Sequence, residues 1–218
     1  MSSQPVTQNT LSLDVATSRN PATDELIATY AFQTADEVEG MLADNNAAFR
    51  LWRATPMSKR VEAYRRLSAI LRERSENLAG IITAEMGKTL ATARAEVEKC
   101  AVTIDWLASN GPAILADEPV SVENDDQVHV SYLPIGSILA VMPWNFPLWQ
   151  VIRASGPIML SGNGFILKHA PNVMGSAYLM KAAFHKAGFA DGLFEVINVT
   201  QDGVSKAIAD PQIGRAHV

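Results

Sequence analysis

Ile135-Gly136-Ser137-Ile138-Leu139-Ala140-Val141-Met142-Pro143-Trp144-Asn145-Phe146-Pro147 is the stretch on which the reading of this chain turns. An apolar, partly β-branched run of this length reads as a strand buried on both faces. The prolines that bracket Trp144-Asn145-Phe146 stop it sharply at one edge of a sheet. In an open α/β sheet, ligands bind just outside the carboxyl ends of the strands. Asn145 therefore holds an NH2 donor in a fixed place, as stabilisation of an oxyanion requires. A bare Pro-X-Asn is ordinarily a turn asparagine serving nearby backbone, so the wider sequence has to decide between the two.

Beyond this stretch the pattern alternates: strand at 137–142, helix at 148–160, strand at 165–168, helix at 173–187 and strand at 193–199. Such alternation predicts a parallel sheet with right-handed crossovers. Before it, Pro119 to Leu133 alternates around Asn124-Asp125-Asp126 and predicts a β-hairpin with one exposed side. The first third reads as helical. Thr34-Ala35-Asp36-Glu37 has the capping-box pattern, opening a helix to about Trp52. Thr55-Pro56 marks a second start, with Val61, Tyr64, Leu67, Leu71, Leu78 and Ile82 on one apolar face and Gly87 as the stop. A third helix spans 90–114, with Val97, Ala101, Ile104 and Leu107 inward. The arginines of the second helix interleave with glutamates and read as a solvated face. Glu85 and Lys88 read as a helix-end pair.

With 48% hydrophobic residues in 218, the chain can bury a core. A net charge of -5 argues against a nucleic-acid partner. The N-terminus lacks a basic stretch before an apolar run, so no secretory signal is expected, and no segment approaches the roughly 18 to 20 apolar residues of a membrane span. The single cysteine excludes an internal disulfide and suits the cytoplasm. Cys100, inside the third helix, reads as a buried structural thiol rather than a nucleophile. The four histidines show no metal-ligand spacing, so no metal site is expected.

Taken with its neighbours, Pro134 to Pro147 resembles the signature segment of the aldehyde dehydrogenase superfamily. Asn20-Pro21-Ala22-Thr23 resembles that family's opening turn, Ala84-Glu85-Met86-Gly87-Lys88 its helix-end motif, and Gly162-Asn163-Gly164 its entry to a strand ending at Lys168. The run from Leu167 to Gly175 is similar to a bacterial succinate-semialdehyde dehydrogenase branch. The resemblance covers about residues 15–212. It implies an α/β chain forming the amino-terminal part of the family fold. Residues 1–118 would be the helical part of the cofactor-binding domain, 119–134 a bridging hairpin used in homo-oligomer assembly, and 135–212 the first half of a Rossmann-like NAD(P)-binding domain.

The resemblance further implies oxidation of succinate semialdehyde, or a similar acidic aldehyde, to the carboxylic acid with NAD or NADP. Asn145 would be the oxyanion donor. Met142, Pro143, Trp144 and Asn145 would line the nicotinamide half of the cofactor, and Lys168, with His169, Ala170 and Pro171, the adenosine ribose. Members preferring NAD often carry a glutamate where this chain has Pro171, so cofactor choice stays open. Arg153 and Trp149, which share a helix face, would bind the substrate, Arg153 clamping its far carboxylate. Without the resemblance, Arg153 reads equally as a surface salt-bridge residue.

The family's cysteine nucleophile and glutamate base lie in segments downstream of those matched, so the catalytic domain is expected to be absent. Ile213-Gly214-Arg215-Ala216-His217-Val218 departs from the family. One set of codons that would encode these residues, ATC GGA AGA GCA CAC GTC, matches a widely used sequencing-library adapter, so 213–218 is expected to be a non-native tail. Two classes of function follow: an enzyme represented by its amino-terminal part, or a non-catalytic chain, unfolded or binding a partner subunit through the hairpin.

Overall fold

The computed structural model describes residues 15–122 and 127–217, so the region read for a secretory signal and the turn Asn124-Asp125-Asp126 lie outside the described residues. It opens on an element not expected, an antiparallel hairpin of β1 (Val15–Arg19) and β2 (Leu26–Ala31). Asn20 shapes the turn, its Oδ1 accepting from the Ala22 amide at 2.9 Å, and Asp24 closes it at φ 59°. The strands are short, and only Ala16 and Ser18 of β1 are buried, too few positions for a period of two to stand out.

The helices follow. In α1 (Ala35–Arg53) the capping box is present: the Thr34 hydroxyl accepts from the Glu37 amide and the Glu37 carboxylate accepts from the Thr34 amide. The second expected helix is two, α2 (Met57–Glu73) and α3 (Ser75–Met86), broken at Arg74. One apolar face runs through both, since Tyr64, Leu67, Leu71, Leu78 and Ile82 are all at most 1% exposed, and a shared core hides the break from any periodicity. Thr55 is not the cap: its hydroxyl donates back to the Leu51 carbonyl and Pro56 takes the N-cap position. Gly87 ends α3 in the left-handed region, as expected. The long helix α4 (Leu90–Ile114) buries Val97, Cys100, Ala101 and Ile104 completely.

Next come β3 (Glu118–Val120) and β4 (Val128–Val130), an antiparallel pair exposed at every position rather than on one side. The sheet region follows as β5 (Ser137–Met142), α5 (Trp149–Leu160), β6 (Gly164–His169), a 3-10 turn (Pro171–Val173), α6 (Met174–Lys186), β7 (Phe194–Val196), α7 (Gln201–Ala209) and β8 (Ile213–His217). The four strands are parallel in the order β7-β6-β5-β8. Neither α7 nor a strand at 213–217 was expected. The sheet continues past residue 212, and the six-residue end read as a foreign tail contributes β8.

Alternate residues of the strands feed two cores, as a pleat requires. Ala140, Met142, Phe165, Leu167, Phe194 and Val196 join the large cluster built from the helical layer, α5 and α6. Leu139, Ile166 and Ile197 face the other way, onto Leu42 of α1 and Val204 and Ala207 of α7. The chain winds β5-α5-β6-α6-β7 on one face of the sheet, then crosses by α7 on the other to reach β8. The strand order therefore reverses between β5 and β8, which places the switch-point crevice at the end of β5.

Two outcomes are expected. Val120, Val122, Val128, Val130, Tyr132 and Leu133 are 41 to 80% exposed, so the isolated 218-residue chain should self-associate; sedimentation velocity giving one monomeric species contradicts this. Burial pushes the Cys100 thiol well above its ordinary pKa. Cys100 should therefore resist alkylation at pH 8 in folded protein and react after denaturation.

Candidate active site

β5 delivers the chain at Met142, and the loop from Pro143 to Leu148 carries it to α5. Pro143, Trp144, Asn145 and Phe146 are exposed there, while Pro147 and Leu148 are buried. Among the described residues the side-chain amide of Asn145 has no hydrogen-bond partner, so its donors are free for a ligand.

Three side chains hold this loop from below. His169, paired with Met142 across β5 and β6, is 1% exposed. Its Nε2 lies 2.8 Å from the Pro147 carbonyl, and its Nδ1 is 3.0 Å from the Ala170 amide. Burial lowers its pKa, and the neutral ring fits both partners with Nε2–H donating to Pro147 and Nδ1 accepting from Ala170. Nδ1 then has no proton for the Met142 carbonyl at 3.3 Å. The His169 side chain faces inward, as does that of Met142 at 5% exposure.

Glu96, on α4, is the second anchor. Its Oε1 accepts from the amides of Leu148 and Trp149, each at 3.0 Å, and its Oε2 is paired with Lys88. Lys88 is the third: its ammonium lies 3.9 Å above the Phe146 ring and donates to the Asn145 carbonyl at 3.4 Å. The expected Glu85–Lys88 pair does not form. Glu85 instead accepts from the amides of Gly175 and Ser176, both at 2.9 Å, and from the hydroxyls of Ser176 and Ser18.

The first turn of a dinucleotide-binding sheet usually offers its helix amides to phosphate. Here Glu96 takes those of Leu148 and Trp149, so the start of α5 is closed to anions. Lys168 lies one strand over, half-buried, with burial lowering its pKa. It borders a cleft of about 480 Å³ with Pro171, Val199, Thr200, Gln201 and Ser205, and no carboxylate lines it. A cation, hydroxyls and an apolar wall at the switch point fit the ribose end of a dinucleotide. Ala170 is half-buried and Pro171 exposed beside them.

The two expected substrate residues sit apart from this set. Trp149 is half-buried with the Lys99 ammonium 3.8 Å over its ring. Arg153, one turn on, is exposed and makes no ion pair or hydrogen bond among the described residues; it borders a hollow of about 350 Å³ with Ala154, Pro157, Ile158 and His217. Sequence reasoning missed Glu96 and the polar residues of α7. Glu96 had a legible signal, since a carboxylate three residues after Ala93 and four before Cys100 falls on the inward stripe of α4. Among the described residues no cluster of three metal-ligating side chains occurs, and no helix is long and apolar enough to cross a membrane.

The family model for the aldehyde dehydrogenase family matches residues 9–215. The chain is 49% identical over 203 residues to the Escherichia coli (strain K12) succinate semialdehyde dehydrogenase Sad, named for NAD(P)+, covering 93% of this chain and 44% of the relative. Against an NADP+-named succinate-semialdehyde dehydrogenase of Mycobacterium bovis (strain BCG / Pasteur 1173P2) the identity is 38%, with 90% and 44% covered. A crystal structure of succinic semialdehyde dehydrogenase from Streptococcus pyogenes in complex with NADP+ gives a TM-score of 0.84 at 30% identity, over 88% of this chain and 42% of that one. The chain thus spans less than half the length of the relatives it matches. On fold and sequence together, it belongs to the aldehyde dehydrogenase family.

Proposed function

We propose that this chain supplies the cofactor-side part of an NAD(P)+-dependent dehydrogenase that oxidises succinate semialdehyde, or a similar acidic aldehyde, to the carboxylic acid. The observation that carries this is the unpartnered amide of Asn145 just beyond the end of β5, the strand whose Val141 lines the Lys168 cleft. When bound, NAD(P)+ supplies a two-electron acceptor for the aldehyde carbon. Asn145 donates an N–H to the aldehyde oxygen as negative charge gathers there. The backbone of Met142 to Trp144 lines the nicotinamide end. Lys168 donates to the ribose hydroxyls, and a cleft free of carboxylates accepts a ribose with or without a 2'-phosphate. Arg153 pairs with the far carboxylate of the substrate.

The thiol nucleophile and the general base come from outside this chain. Cys100 serves as neither, being fully buried with its thiol pKa pushed up. The hairpin of β3 and β4 is the oligomer-forming face of a homo-oligomeric, cytoplasmic enzyme. Its exposed apolar residues also favour a second reading, a non-catalytic chain that binds a partner subunit through the same hairpin.

The isolated 218-residue chain should form no NAD(P)H from succinate semialdehyde; turnover abolished by Cys100→Ser would reverse the reading of Cys100. In a full-length enzyme carrying this segment, Asn145→Ala should lower kcat about 10²- to 10³-fold for acidic and neutral aldehydes alike. Arg153→Leu should instead raise KM for succinate semialdehyde roughly ten- to a hundredfold, because a charge-assisted hydrogen bond is worth about 1.5 to 3 kcal/mol. An uncharged aldehyde of similar length should be little affected. Equal losses on both would remove Arg153 from the site.

A further inference from the structure

The geometry points to the Lys88–Glu96 ion pair as the positioning device that aims Asn145, an inference that rests on the reading of Asn145 as the oxyanion donor. The Asn145 loop needs one. Its side chains from Pro143 to Phe146 face solvent, and the proline that ends β5 has no amide to continue the ladder. His169 fixes the loop at Pro147 and Glu96 fixes it at Leu148 and Trp149. Lys88 alone of the three reaches Asn145 itself, through its carbonyl, and Phe146, through its ring.

The two carboxylate oxygens of Glu96 divide the work. Oε1 fixes the first amides of α5, and Oε2 fixes the ammonium that holds Asn145. The start of α5 and the Asn145 backbone are thereby registered against one buried group. A surface pair would not do this, because water competes for both charges and the side chains keep their freedom. Here the side chains of Lys88 and Glu96 are only 11% and 2% exposed, so letting go would leave each charge buried without its partner. Lys88 also starts from a fixed point. It follows Gly87, whose φ of 76° suits glycine and where an added Cβ would come within 2.9 Å of the Pro21 side chain. Lys88 and Glu96 touch no reacting atom; they act through Asn145.

A mutant cycle in the full-length enzyme separates aiming from general support. Lys88→Met should lower kcat roughly ten- to a hundredfold with the aldehyde KM nearly unchanged, as a misplaced catalytic group does. In an Asn145→Ala background the same substitution should change kcat by less than about twofold, since there is no donor left to misplace. Lys88→Met combined with Glu96→Gln gives a neutral pair in which the glutamine oxygen still accepts from Leu148 and Trp149. It should melt like the parent and show the same kcat loss. If Lys88→Met alone fails to fold, this neutral pair carries the cycle. Equal fold-losses with and without Asn145 overturn the proposal, as does a neutral pair that cannot fold. If Asn145→Ala leaves kcat intact, the oxyanion reading itself falls, a result distinct from losses that add.

Discussion

Two buried carboxylates, Glu85 and Glu96, hold the helical layer to the sheet, and the candidate site depends on them. Each sits at most 4% exposed on a helix of the amino-terminal layer and accepts from the first amides of a helix in the sheet layer, α6 for Glu85 and α5 for Glu96. Helix-start amides buried between layers have no water to bond to, and the positive end of the dipole adds its own demand. A carboxylate meets both needs at once. Its own burial is offset by the bonds it accepts and, for Glu96, by the Lys88 ammonium. The contact is directional, so it fixes how far and at what angle α3 and α4 sit against α6 and α5. Apolar packing alone leaves that register loose.

The same arrangement shapes what the sheet can bind. A dinucleotide-binding sheet ordinarily keeps the helix start after its first strand for phosphate. Here that place is filled by the protein's own carboxylate, and the loop before it presents a side-chain amide instead. Lys168 and the hydroxyls of Thr200 and Ser205 line one cleft, and the Asn145 side chain stands exposed beyond the end of β5.

Much of this could be read in the sequence. β5 and α4 run between the residues expected of them, because each is long, strongly patterned and bounded by proline, glycine or a capping threonine. The capping box at Thr34 and the left-handed Gly87 are local chemistry, which a sequence displays directly. What stayed hidden depended on distance. The β1–β2 hairpin is short and mostly exposed or half-buried, and the break at Arg74 leaves the apolar face intact on either side. Thr55 has a cap's sequence but finds the Leu51 carbonyl nearer. His169 turns inward although it follows Lys168 at the end of β6, because Pro147 and Ala170 offer its ring both partners it needs. Asn145, Trp144 and Lys168 stand where the strand ends put them, since a strand end is set by the strand itself. The anchors beneath them lie up to dozens of residues away, and no spacing announces them.

β8 lies along the outer edge of β5 with none of its residues buried, and its register slips between Ser137 and Ile138. That edge is met mainly by main-chain pairing, and it fits closely enough that a Cβ added at Gly214 would come within 2.6 Å of the Ile135 carbonyl oxygen. The opposite edge of β5 pairs with β6 in unbroken register from Ser137 to Met142. β5 is therefore held residue for residue along one edge and by a shifted, glycine-dependent fit along the other, so the β8 side is where pairing in this sheet can slide.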